Sequence, residues 1–154
     1  MALEDEVGAL RRNPLFAKIS PSKLKLLAFT SERIDYEEGQ YLFHMGDPSD
    51  AAYAIIKGSA DVLIDTPTGE IKVARVERNA FVGEMGIICD VPRTATIRAC
   101  SHLETLKISK EQFLQLLTEF PEAAIELMRV LGDRLMNTTA DLSQARKKIQ
   151  ELES

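Results

Sequence analysis

The sequence predicts an α+β fold that is mainly β. The strands are expected to form a sandwich or barrel, with helices before it, a short helical turn inside it and a long helix after it. Three observations carry this. Residues 33–108 form a series of short apolar or alternating runs. Turn residues separate those runs at a spacing typical of sandwiches and barrels rather than β/α units. The two flanks instead carry helical periodicity and helix-start signals.

At the N-terminus, "EDEVGALRRNPLF" places Val7, Ala9 and Leu10 before a break at Asn13–Pro14. "SPSKLKLLAF" then begins with Ser20 as N-cap and Pro21 at the first helical position, where both are favoured. The strand candidates follow: "RIDY", "YLFH", "AYAIIK", "ADVLID", "EIKVARV", "TATIRA" and "HLETLKI". Their punctuation is "EEGQ", "MGDPSD", "KGS" and "DTPTGE". "SKEQFLQLL" opens a helix with Ser109 and Gln112 in capping-box spacing. From Pro121 one helix runs almost to the end, about 50 Å at 1.5 Å per residue. The chain is expected to be one domain, divided into helices (1–32), roll (33–108) and helices (109–154).

The 154 residues can bury a real core, and 45 % apolar with 28 % charged residues is ordinary globular composition. With 24 acids against 19 bases, the net charge of −5 argues against direct nucleic acid binding. No run approaches a membrane span, and the acidic start is unlike a signal peptide. A cytoplasmic location is therefore expected. Cys89 and Cys100 match no common metal spacing and read as reduced thiols. His44 and His102 are solitary and do not suggest a haem site. No nucleophile with its base is evident, so neither catalysis, a metal nor a cofactor is expected.

One stretch carries chemistry. "VGEMGIICDVPRTATI", Val82 to Ile97, sets Glu84 and Arg93 into an otherwise small and apolar run. A short helical turn beginning at Gly86 and Ile87 would offer outward N–H groups to an anion. Arg93 adds a planar fork suited to phosphate, and Thr94 a hydroxyl. A carboxylate has no place in a pure phosphate site, but Glu84 could accept from a sugar hydroxyl. The plainer alternative is an ordinary Glu–Arg ion pair on a sheet rim.

"GEMGIICDVPRTATIRA" resembles the phosphate-binding cassette of the cyclic nucleotide-binding domain family. "NPLFAKISPSKLKLLA" resembles that family's N-terminal helical motif. "YEEGQYLFHMGDPSDAAYAIIKGSADVLI" resembles its first strands, with Gly39, Gly46, Asp47 and Gly58 at the turns. The resemblance covers about residues 10–140, implies an antiparallel β-roll or jelly-roll sandwich, and sets the cassette, with its short helix, at 81–97. It implies that Glu84 accepts the ribose 2′-hydroxyl and that Arg93 pairs with the cyclic phosphate. It implies that Gly83, Met85, Gly86, Ile87 and Ala95 line the pocket with their backbone. Thr94 would meet the phosphate or the base.

The long helix carries a series at heptad spacing that is apolar except for Thr138: Met128, Leu131, Leu135, Thr138, Leu142, Ala145, Ile149 and Leu152. In a parallel pair of such helices Asp141 would meet Arg146, and Lys148 would meet Glu153, both of opposite charge. The plainer alternative is a single amphipathic helix packed on its own domain, but its last two turns should by then have left the domain, so a homodimer through this helix is expected. The resemblance further implies that Thr138 and Thr139 stand where bacterial catabolite activators of the family carry a pair that reaches adenine. The expected ligand is cAMP in preference to cGMP, and the expected role is a receptor or regulatory domain that signals to an effector protein through the helix. The alternatives are a non-binding dimerisation module, or the regulatory fragment of a transcription regulator whose DNA-binding part lies outside this sequence.

Overall fold

The computed structural model of the chain describes residues 3–153. Helices α1 (Leu3–Arg11) and α2 (Pro21–Thr30) lead into β1 (Glu32–Tyr36), β2 (Tyr41–Phe43), β3 (Ala51–Lys57), β4 (Ala60–Thr66), β5 (Gly69–Val76) and β6 (Phe81–Val82). The short helix α3 (Glu84–Ile88) follows. Strands β7 (Thr96–Ala99) and β8 (Leu103–Ser109) complete the roll, and α4 (Lys110–Glu119) and α5 (Pro121–Glu153) follow it.

Two four-stranded sheets form the roll, ordered β1-β8-β3-β6 and β2-β7-β4-β5. All described pairings are antiparallel. Most sheet neighbours are distant in sequence, as a jelly roll requires.

β3 shows why "AYAIIK" is apolar without alternation. Ala51, Tyr53 and Ile55 face the roll interior with Leu42, Val82, Ile97 and Leu103. Ala52, Ala54 and Ile56 face the helices, with Leu10, Phe16, Leu24 and Phe113. A strand covered on both faces reads as a continuous apolar run. Each large side chain so buried contributes about 1.5–3 kcal/mol. β5 is the opposite case: it forms a sheet edge and is exposed along nearly its whole length.

The helix starts follow the sequence signals. Ser20 and Pro21 open α2, and Ser109 with Gln112 forms the reciprocal capping box of α4. In α5 only Ala123 and Leu127 are buried, and every residue from Asp133 to Glu153 is exposed. Leu135, Leu142, Ile149 and Leu152 lie among them. The heptad series therefore continues along a stretch of helix that is exposed at every position. No described helix is long and apolar enough to cross a membrane.

Candidate functional site

The segment after β6 builds the site. Gly83 has φ +86 and stands as the N-cap of α3. A Cβ there would lie 2.8 Å from Arg93 Nη1, so glycine is required both by the left-handed backbone and by the close approach. The helix begins at Glu84, two residues before the Gly86 start expected from the sequence. Gly86 answers a different contact. A side chain at 86 would overlap Ser49, whose hydroxyl donates to the Val91 carbonyl at 2.7 Å and ties the loop down from behind.

Arg93 is 4 % exposed. Its Nη1 donates to the Gly83 carbonyl at 2.8 Å and its Nη2 to the Ala51 carbonyl at 2.7 Å. Asp50 stands 3.4 Å from Nη2, and the Phe43 ring lies beneath the guanidinium with its centroid 4.0 Å from Cζ. The buried Nε donor has no protein partner. Burial pushes the pKa of Arg93 down, opposed by Tyr53, Asp50 and neighbouring acids. An arginine nevertheless keeps its charge in a protein.

Glu84, 5 % exposed, does not pair with Arg93. Its Oε1 accepts from Arg134 Nη1 at 3.1 Å, across from α5. The two charges of the cassette thus have separate partners but line one cavity of about 330 Å³. Gly83, Glu84, Met85, Gly86, Arg93, Thr94 and Ala95 line it from the cassette. Phe43, Val62, Val76 and Ile97 form an apolar wall from the roll, and Asn13 and Arg134 complete it. None of the described lining residues is a serine, cysteine, histidine or lysine. The chemistry on offer is recognition: a guanidinium donor for an anion, a carboxylate acceptor for hydroxyls, and an apolar surface for a ring.

Three expected residues fall elsewhere. Ile87 packs its side chain into the core against the helices. Thr138 and Thr139 are exposed and do not line the cavity. Thr138 donates its hydroxyl to the Arg134 carbonyl of its own helix at 2.8 Å. The reason is geometric: α5 meets the pocket at Arg134, one turn earlier, and its later residues have left the roll. The sequence reading did not include Asn13, Arg134 or the apolar wall of Phe43, Val62, Val76 and Ile97. Arg134 sits 50 positions from Glu84, and no local motif marks it.

The model of the cyclic nucleotide-binding domain matches residues 33–120, more than half of the chain. The chain belongs to the cyclic nucleotide-binding domain family. An uncharacterized NTE family protein of Mycobacterium tuberculosis is 29 % identical over 143 residues, 93 % of this chain and 24 % of its own length. A CRP-like cAMP-activated global transcriptional regulator from the same organism is 26 % identical over 140 residues, 90 % of this chain and 62 % of the regulator. The chain thus spans about a quarter of the first relative and under two thirds of the second. Among solved structures, the sensor domain of the transcriptional regulator DNR from Pseudomonas aeruginosa superposes with TM-score 0.79 at 25 % identity, covering 90 % of this chain and 93 % of that domain. This cyclic nucleotide-binding domain therefore has a jelly-roll fold similar to that of the DNR sensor domain, and a long C-terminal helix follows it.

Proposed function

We propose that this chain is a cytoplasmic cyclic nucleotide receptor, or regulatory domain, that binds cAMP in preference to cGMP and signals through α5. One observation carries the reading: Glu84 and Arg93, both buried, line the same 330 Å³ cavity beside an apolar wall. A cyclic nucleotide offers matching chemistry, with an anionic phosphate for Arg93, a ribose hydroxyl for Glu84 and a flat base for Val62, Val76 and Ile97. The backbone of Gly83, Met85, Gly86 and Ala95 and the hydroxyl of Thr94 complete the cradle. The CRP-like relative, named as cAMP-activated, supports the same ligand class.

The route to α5 runs through Arg134. The ribose and Arg134 seek the same carboxylate, so ligand entry reorganises the one described ion pair between the cassette and the helix. That biases a two-state equilibrium of α5. Thr138 and Thr139 would contribute to base choice when the helix shifts or pairs with a second copy. Pairing through Leu135, Leu142, Ile149 and Leu152 would cover the exposed heptad face. The effector is a protein that reads the helix, and binding rather than catalysis is the activity.

A second reading has its own observation. The exposed half of α5 would also suit a domain that pairs with a partner without binding ligand. Titration calorimetry with cAMP and cGMP separates the two. Saturable binding, tighter for cAMP, supports the receptor; silence at millimolar nucleotide supports the interaction module.

A further inference from the structure

β2 pairs with β7 through an irregularity. Tyr41 lies opposite Arg98 and Phe43 opposite Ile97, so two steps on β2 match one on β7. In a regular strand Leu42 and Phe43 would face opposite sides. Here Leu42 is buried in the roll cluster and Phe43 also packs against that cluster. A bulge of this kind re-aims a side chain. The re-aimed ring lies under Arg93, 4.0 Å from ring centroid to Cζ. Its edge also reaches the Gly83 corner, where a Cβ would meet Phe43 Cε2 at 3.4 Å. Tyr53 supports the ring from β3, with centroids 5.9 Å apart.

We propose that Phe43 is a positioning residue for Arg93, its bulge-directed ring fixing the plane in which the guanidinium meets the ligand's phosphate. This rests on the cyclic nucleotide reading of the site. The two terminal nitrogens are held by the Gly83 and Ala51 carbonyls, which constrain their positions. The ring supplies the third constraint, a face for the cation, and excludes water from it. Only an aromatic side chain does this, so shape and aromaticity can be separated by substitution.

The experiment is calorimetric titration of wild type, Phe43→Leu and Phe43→Tyr with cAMP and with cGMP, alongside thermal melts of each ligand-free protein. Phe43→Leu is expected to weaken both nucleotides by the same factor, about 5- to 30-fold, the range of a desolvated cation–π contact. Phe43→Tyr, which keeps the ring face, is expected to bind within about twofold of wild type on the same principle. Equal loss for both nucleotides marks an effect on phosphate binding. Unchanged affinity in Phe43→Leu, loss for one base alone, or failure of Phe43→Tyr to restore binding in a protein that melts like wild type would each overturn the inference. Absence of binding by wild type would overturn the reading of the site, and this inference with it. Wild-type binding with no effect of Phe43→Leu would overturn this inference alone.

Discussion

Glu84, in the first turn of α3, accepts a hydrogen bond from Arg134 of α5 at 3.1 Å. The carboxylate is buried, whereas the arginine side chain is half exposed. Because the arginine partner is half exposed, water screens the pair, and it contributes about 0–1 kcal/mol of stability. Its interest is positional, because it joins the nucleotide cradle to the helix that leaves the roll. Arg134→Met should therefore change cyclic nucleotide affinity by less than about fivefold. It should abolish the ligand-induced change in amide exchange along residues 127–140 that the wild type is expected to show. An unaltered exchange response in the variant would remove Arg134 from the signalling route.

Gly83 is predicted to tolerate no side chain. Alanine there must adopt φ +86 and push against Arg93 Nη1 and the Ala51 carbonyl. The left-handed backbone alone costs about 1–2 kcal/mol. Gly83→Ala should lower the melting temperature and weaken nucleotide binding together. A variant that melts and binds like wild type would mean that the corner relaxes freely.

The dimer prediction concerns α5. Leu142 and Ile149 are exposed on one heptad seam, and lysine at both positions places like charges face to face in a pair. Sedimentation of wild type should give a dimer, and Leu142→Lys with Ile149→Lys a monomer that retains the roll. A monomeric wild type would mean that the apolar series serves another partner.

Asp61 gives a pH signature. It is buried on β4, which pushes its pKa up, but hydrogen bonds and charge from Lys72 and Arg75 on β5 outweigh this and hold the pKa below the usual value. The folded state thus binds fewer protons at this group than the unfolded state. Its contribution is fully present above about pH 4, the unfolded carboxylate value, and is lost as pH falls through the lower folded pKa. Asp61→Asn should destabilise the protein at pH 7, with the difference shrinking toward pH 3. Denaturant melts across that range provide the check, and a difference independent of pH would contradict the assignment.

What was legible in the sequence was what is local in it. Glycine and proline turns bounded the strands, and Ser109 with Gln112 marked a helix start. Glu84 and Arg93 could be read because one short loop carries both. Arg134 could not, because its meeting with Glu84 depends on the angle at which α5 passes the roll. Phe43 was hidden by a bulge, since strict alternation would turn either Leu42 or Phe43 away from the interior. Thr138 and Thr139 were placed by resemblance, and within one chain they face solvent because α5 has by then left the cassette.

The central claim is that Arg93 holds the phosphate of a cyclic nucleotide. Titration calorimetry of wild type and Arg93→Ala with cAMP and cGMP tests it most directly. Wild type should bind both, cAMP more tightly, and the variant should lose about 2–5 kcal/mol of binding free energy, the scale for removing one member of a buried charged contact. Equal affinity in wild type and Arg93→Ala would contradict the claim.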